Sequence, residues 1–342
     1  GFFPGSLAQT NVVSNMLFGS ISGSGVASAA AVGGIMSPIQ KKEGYDPAFS
    51  TAVNIASAPT GMLIPPSNTL IVYATVAGSV SISALFMGGY LPGILWGVGV
   101  MIVAGIMAKR RGYLARHRMT LAECGKVAID AIPSLSLIVV VIGGILGGIF
   151  TATEASAIAV VYSLFLSGCY RSLDFKTLPQ IFLNTAKMSA IVIFMLATSS
   201  IMSWVMAFTQ IPGMIADSLL SLTDNPIIIL LIINIVLLFV GTFMDPTPAV
   251  LIFTPIFLPI CMGLGMDPVQ FGILLVFNLS LGTITPPVGP ILFTGCKVSG
   301  VSIDSVIKTL LPFFFVIFLV LMMVTYIPAI SMAIPQAMGL VG

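Results

Sequence analysis

Two polar interruptions in otherwise apolar sequence carry the residues that can do chemistry. The first, residues 19–27 (GSISGSGVA), sets Ser20, Ser22 and Ser24 among Gly19, Gly23 and Gly25. The second, residues 241–249 (GTFMDPTPA), offers Gly241, Thr242, Asp245, Pro246 and Thr247. Each has a companion further along the chain: Gly61 with Pro65-Pro66-Ser67-Asn68-Thr69, and Gly282 with Thr283, Thr285, Pro286-Pro287 and Gly289. Hydroxyls, side-chain amides and carbonyls freed by a broken helix are oxygen donors, and a set with no thiolate or imidazole suits a hard cation. Backbone that leaves the helix at membrane depth is tolerated only where it is buried in protein or lines a water-filled cavity, because bare N–H and C=O groups in lipid cost several kcal/mol each. Small residues in membrane helices also serve close packing. Here glycines, prolines and hydroxyls concentrate at two matched breaks, which favours binding sites over packing alone. Broken helices of this kind hold Na⁺ on unwound carbonyls and attract anionic groups to half-helix N-termini.

The elements that position these residues follow from an internal repeat. An offset of 221 residues takes Pro38 to Pro259, Gly44 to Gly265, Asp46-Pro47 to Asp267-Pro268, Gly61 to Gly282, Pro65-Pro66 to Pro286-Pro287 and Val80-Ser81-Ile82 to Val301-Ser302-Ile303. With Ile39 and Ile260 these make eleven identities over residues 37–83 without a gap. The same offset sets Asp245 on Ser24. We read a first repeat over 1–83, with a helical hairpin at 10–39 and a broken helix at 47–77. A scaffold and connecting segment, 84–225, includes a span near 85–107, a basic loop at 108–126, apolar arms at 133–169 and a span near 188–208. A second repeat over 226–304 has its hairpin at 226–260 and its broken helix at 268–296, and a last span lies within 305–342.

Composition sets the class. Of 342 residues 57% are hydrophobic and 7% charged, with a mean hydropathy of +1.12, whereas soluble domains carry about 25% charge. This predicts an all-α polytopic membrane protein. Lys109, Arg110, Arg111, Arg116, Arg118 and Lys126 mark the cytoplasmic side by the positive-inside rule, with anionic lipid as a second possible use of that loop. Counting spans from it puts Lys41, Lys42, Arg171, Lys176, Lys297 and Lys308 on the same side. The turn at 263–267, which corresponds to Lys41-Lys42, has no basic residue and falls on the other side. The repeats are therefore expected to be inverted, with two re-entrant hairpins and two broken helices, the layout that supports alternating access.

Other classes fit poorly. A net charge of +2 suggests no nucleic-acid partner. A serine hydrolase needs a base against its nucleophile, and the single histidine, His117, lies in the basic loop. The G-x-S-x-G setting and a phosphate-binding loop with Lys are both missing, so no enzyme is expected. Cys124, Cys169, Cys261 and Cys296 lack metal-type spacing and read as small apolar residues. Glu154, between the apolar arms, is either a relay carboxylate or a helix cap. Trp96 and Trp204 read as packing or interfacial residues. A channel is the stronger rival, because carbonyls also build filters, but paired hairpins ending at midplane favour a carrier. No signal peptide is read, and the chain is expected to be a fragment whose early helices are missing.

Six stretches then carry a family resemblance: GSISGSGVASAAAVGGIMSP, EGYDPAF, GMLIPPSNTLIVYA, TATEASAIAVVYSL, QIPGMIADSL and GMDPVQFGILLVFNLSLGTITPPVGPILF. In this order, over essentially the whole chain, they resemble the large membrane subunit of a tripartite ATP-independent periplasmic (TRAP) transporter. The resemblance implies an elevator-type, Na⁺-driven importer of an organic acid in the bacterial inner membrane. It further implies a small membrane subunit and a periplasmic substrate-binding protein as partners, besides membrane lipid. It puts a first Na⁺ site at Ser20, Ser22, Ser24, Gly61, Ser67, Asn68 and Thr69, and a second at Gly241, Thr242, Asp245, Gly282, Thr285, Pro287 and Gly289. Substrate is implied between the hairpin tips, at Ser22, Gly23, Ser24, Asn68, Asp245, Pro246, Thr247 and Pro287. PPSNTLI and NIASAPTG resemble the sialic-acid branch more than the C4-dicarboxylate branch, which remains the alternative with other Na⁺/carboxylate symporters.

Overall fold

A computed structural model describes residues 5–78, 80–113, 121–171, 176–223 and 225–341. His117, Arg116 and Arg118 of the expected basic loop lie outside the described residues. The described chain is helical, with no strand. In order the helices are α1 (Ser6–Ser22), α2 (Gly25–Lys42), α3 (Pro47–Ser57), a 3₁₀ turn (Ala58–Met62), α4 (Asn68–Ala77) and α5 (Ile82–Arg110). Then come α6 (Leu121–Leu146), α7 (Ala152–Cys169), α8 (Leu178–Phe208) and α9 (Ile211–Leu222). The chain continues through α10 (Pro226–Gly241), α11 (Pro246–Gly263), α12 (Pro268–Gly282), α13 (Pro290–Ser299), α14 (Ile303–Tyr326) and α15 (Pro328–Ala337). Five helical stretches among the described residues are long and apolar enough to cross a membrane: Ile82–Arg110, Ile129–Leu146, Leu178–Met202, Pro246–Gly263 and Ile303–Tyr326. The protein is a polytopic membrane protein.

The repeat offset reproduces the helix boundaries. Shifted by 221 residues, α2 coincides with α11 at both ends, and α3 and α12 both begin on the Pro of Asp-Pro. The causes are local. Asp46 and Asp267 cap the N-termini of α3 and α12, accepting from the N–H of Ala48 at 3.0 Å and of Val269 at 2.7 Å. Proline fits the first helical position because its missing N–H would have no partner there. Ser81 caps α5 and Ser302 precedes α14. Both breaks carry a cis Pro-Pro bond, Pro65-Pro66 and Pro286-Pro287. The last span starts earlier than expected and ends at Tyr326, because Pro328 opens the separate helix α15.

Two compact units result, one of residues 1–117 with 203–342 and one of 118–202. In the first, α12 is central: every residue from Val269 to Gly282 is buried, and it packs against α5, α10, α11 and α14. Trp96 is wholly buried there, donating its indole N–H to the Ala56 carbonyl at 2.7 Å, with its ring 4.6 Å from that of Phe277. Trp204 is exposed and stacks on Phe208.

One end of this unit gathers the basic residues. The Gln40 amide donates to the Leu7 carbonyl at 3.0 Å, so α1 starts where α2 finishes. The N–H of Gly5 donates to the Tyr113 carbonyl, the Tyr113 hydroxyl accepts from the N–H of Asp46, and Arg111 pairs with the Asp46 carboxylate. Burial opposes the charge of Arg111, but its bonds to Asp46 and Tyr113 outweigh that and hold its pKa above the ordinary value. Lys41, Lys42, Lys109 and Arg110 are exposed at this end. The starts of α10 and α12 have other neighbours: Tyr326 donates to the Ile227 carbonyl and Tyr73 to that of Pro268.

In the second unit α6 packs on α7, and the Tyr162 hydroxyl donates to the Pro133 carbonyl at 2.9 Å. Glu154 takes the capping alternative. Its carboxylate accepts from the N–H and hydroxyl of Thr151, whose hydroxyl in turn accepts from the N–H of Glu154, a reciprocal cap on α7.

Candidate functional site

Each break is crossed by the first arm of its own repeat, and glycine makes both crossings possible. A Cβ on Gly61 would stand 2.1 Å from the Gly19 Cα, and a Cβ on Gly282 would stand 2.5 Å from the Gly241 Cα. Gly61, in the 3₁₀ turn that follows α3, and Gly282, at the end of α12, thus admit another backbone. This is a role for two residues expected among the cation ligands.

Around the first crossing the loop between α1 and α2 turns at Gly23, whose φ of 62° puts it in the left-handed region. A Cβ there would meet the main-chain nitrogen and side-chain amide of Asn68 at 3.2–3.3 Å, so the tip rests on the start of α4. Ser24 caps α2 through the N–H of Ala27, and Ser67 caps α4 through the N–H of Leu70, both at 3.3 Å. Ser20 donates its hydroxyl proton to the Leu17 carbonyl at 2.8 Å and Ser67 donates to that of Met62 at 2.5 Å. Ser22 is within 3.5 Å of the Gly19 carbonyl. A hydroxyl that has spent its only proton on a carbonyl keeps two lone pairs; Ser67 uses one to accept from Leu70 and Ser22 one to accept from Ser24, which leaves one on each, and both on Ser20, that could face a cation. Ser20, Gly61, Ser67 and Thr69 are buried, Ser22 and Ser24 are half-buried and Asn68 is exposed.

The second crossing is closed by the main chain. The N–H of Gly289 donates to the Thr242 carbonyl at 3.0 Å, joining the break to the end of α10. Gly289 has φ 52°, and a Cβ on it would meet the carbonyl oxygens of Thr285 and Thr283 at 2.9 and 3.0 Å. Thr242 donates its hydroxyl to the Phe239 carbonyl at 2.7 Å and Thr285 to that of Leu281 at 2.8 Å. Asp245 caps α11 through the N–H of Thr247 at 3.1 Å, at the position that Ser24 holds in the first repeat. Asp245 and Pro287 are exposed, Thr247 is half-buried and Pro246 is buried.

The two breaks are neighbours. A Cβ on Gly25 would meet the side chains of Ile291 at 2.4 Å and Met62 at 3.1 Å, and the Ser280 hydroxyl lies 4.0 Å from the Met62 sulfur. Further out, the hydroxyls of Ser37 and Ser299 are 3.0 Å apart, so α2 and α13 run side by side in the same direction. The α2, α4, α11 and α13 helices all start at these breaks. Helix N-termini present unpaired N–H groups and a partial positive charge, which suits an anion. Apart from the Asp245 carboxylate, the oxygen donors gathered here are neutral hydroxyls and carbonyls, and no group of three or more His, Cys, Asp or Glu residues stands ready for a metal among the described residues. Such a donor set fits a monovalent hard cation such as Na⁺.

Sequence reading missed the amides beneath the crossings. The Asn15 amide reaches Asn54 Oδ1 at 3.0 Å and Ser57 at 2.8 Å, and the Asn278 amide reaches Asn234 Oδ1 at 2.7 Å. Asn15 lies four residues before Gly19 and Asn54 seven before Gly61; Asn234 lies seven before Gly241 and Asn278 four before Gly282. These spacings, one and two helical turns, were available in the sequence as a signal.

Known proteins align along nearly the whole chain. Residues 1–330 match the family described as Tripartite ATP-independent periplasmic transporter, DctM component. The chain is 55% identical to the uncharacterized protein YgiK of Salmonella typhimurium, over 98% of this chain and 77% of that one. It is 39% identical to the C4-dicarboxylate TRAP transporter large permease protein DctM of Pseudomonas aeruginosa, over 99% and 80%. It is 34% identical to the sialic acid TRAP transporter large permease protein SiaM of Vibrio cholerae, over 98% and 79%.

Proposed function

The chain belongs to the DctM family of TRAP transporter large permease subunits, multi-pass proteins of the bacterial inner membrane and not enzymes, and from that premise we propose that it imports an organic acid by Na⁺ symport. The observation that carries this reading is the pair of glycine crossings at Gly19–Gly61 and Gly241–Gly282, each beside oxygen donors and helix N-termini. One Na⁺ binds between residues 20–24 and 61–69, a second between 241–245 and 282–289. The carboxylate of the substrate binds between the tips, where the starts of α2, α4, α11 and α13 offset its charge. Ion binding draws each tip onto its break, and the ordered pocket then takes the acid.

The α1–α2 and α10–α11 pairs act as re-entrant hairpins of inverted repeats. Support comes from the ends they share: α1 starts beside the end of α2 and of α5, whereas α10 starts beside the end of α14. The two repeats move together as a transport body in an elevator cycle, with the remaining spans as scaffold. A small membrane subunit completes the complex and a periplasmic binding protein delivers the substrate. For that substrate the sequence motifs favour sialic acid, and the DctM relative, at higher identity than SiaM, favours a C4-dicarboxylate.

The test is uptake of labelled sialic acid and of a labelled C4-dicarboxylate into proteoliposomes holding the complete membrane complex. Inward Na⁺ gradient and binding protein are each supplied or omitted. Saturable uptake of one acid that needs both is expected. Non-saturating flux without either would turn the reading into a channel.

A further inference from the structure

A polar seam runs inside the first repeat, from the basic end to the first crossing. Asn11, Asn15 and Gly19 follow one stripe of α1 at four-residue spacing, and Ser50, Asn54, Ser57 and Gly61 follow one stripe of α3 and its 3₁₀ extension. The stripes meet at Asn15 with Asn54 and Ser57, and at Gly19 with Gly61. At the outer end Gln40 of α2 closes over Leu7. Asn11, Gln40 and Ser50 are 1%, 0% and 2% exposed, so the seam is sealed from lipid. The second repeat differs: Asn234 is the only polar side chain of α10, and the buried polar groups there run from Asn278 through Asn234 to Thr325 of α14, whose carbonyl accepts from Gln270.

Direct bonds leave this seam incomplete in two ways. The Asn11 amide nitrogen, the Gln40 amide oxygen and the Ser50 hydroxyl have no partner although they are buried. Buried polar groups in that position are held by water, which typically makes about three hydrogen bonds. Nearer the crossing, one amide is oversubscribed. The NH₂ of Asn15 has two hydrogens but faces Asn11 Oδ1 at 2.9 Å, Asn54 Oδ1 at 3.0 Å and the Ser57 oxygen at 2.8 Å. One of these oxygens is always left without a proton. If the Asn15 amide swings aside, the three oxygens face a common point, as ligands of a hard cation do.

We propose that this seam holds water and is the route by which the monovalent cation of the first break exchanges with solution at the Lys41–Lys42 end, with the Asn15 amide as its gate. The route rests on the cation reading above, whereas the hydration does not. A cation cannot pass through apolar helix contacts without the cost of losing its water, and a file of neutral oxygens removes most of that cost.

The test uses the complete membrane complex in proteoliposomes, with the native cysteines replaced. Ser50→Cys is expected to react with a small cationic methanethiosulfonate reagent added at the basic end, several-fold more slowly in Na⁺ than in choline. Lys42→Cys, exposed at the same end, should react at one rate in both. An inert Ser50→Cys beside a reactive Lys42→Cys overturns the hydrated seam. Labelling that ignores Na⁺, in a complex whose uptake requires Na⁺, overturns the route; uptake indifferent to Na⁺ removes the cation reading instead and leaves the hydrated seam standing. As a second variant, Asn11→Leu removes the unpartnered amide nitrogen together with the Oδ1 that accepts from Asn15, and because Asn15 keeps Asn54 and Ser57 as acceptors the protein should still fold. Its uptake rate should fall several-fold at unchanged half-saturation by substrate, and an unchanged rate would overturn the route.

Discussion

Gly61 lies so close to Gly19 that neither has room for a side chain, and Gly282 likewise has none against Gly241, whose own Cβ would stand a tight 3.1 Å from the Gly282 Cα. Two main chains in contact cannot yield as a side chain can. Gly61→Ala and Gly282→Ala should therefore each cost at least the 1–3 kcal/mol typical of overpacking, roughly, and abolish uptake. Gly263→Ala is the control, because a Cβ there meets nothing within 4 Å. Thermal unfolding of the detergent-solubilised complex separates the three; a Gly61→Ala protein as stable and active as Gly263→Ala would refute the close crossing.

The Asn234–Asn278 pair should show coupling. Asn278 donates to the Asn234 side chain at 2.7 Å and to its carbonyl at 2.9 Å, while Asn234 donates on to Thr325 at 3.2 Å. Leucine at either position leaves the other amide short of partners, at a cost of about 1–3 kcal/mol. The double substitution should cost less than the two single ones together, by about 0.5 kcal/mol or more. Strict additivity in a double-mutant cycle would show that the pair contributes nothing jointly.

Asp245→Asn and Ser67→Ala distinguish capping from ion binding. Asparagine caps a helix about as well as aspartate, so Asp245→Asn should leave stability near that of the parent. Ser67→Ala loses a cap and a bond to Met62, and about 0.5–2 kcal/mol with them. Both should raise the Na⁺ concentration needed for half-maximal uptake. Unaltered Na⁺ activation in the two variants would remove these residues from the cation sites.

For Glu154 the reciprocal cap with Thr151 predicts that charge is dispensable. Glu154→Gln keeps an N3 group able to accept from Thr151 and should transport normally, whereas Glu154→Ala should fray the first turn of α7. Abolished uptake in a well-folded Glu154→Gln protein would restore the relay role.

Much of the architecture could be read along the chain because its causes are local. Asp46-Pro47 and Asp267-Pro268 start helices through bonds that span two residues, and at matched positions Ser24 and Asp245 start helices through bonds that span three and two. A gapless repeat of such caps transmits helix boundaries directly, so the starts of these helices and the breaks between them followed from sequence. Composition determined the membrane class because charge is too costly in hydrocarbon to be carried at soluble frequencies.

Which faces meet was decided only by the tertiary structure. The crossings do not obey the repeat offset: Gly19 falls on Val240, and Gly241 on Ser20, so the second arm meets its break one residue later than the first. Helical period marks Asn15 and Asn54 as lying on stripes, but it does not say that those stripes face each other rather than a third helix. The same holds for α2 beside α13, an association between halves of the chain that no local signal records. Local bonds fix where each helix begins, whereas long-range packing selects among faces that the sequence alone leaves equivalent.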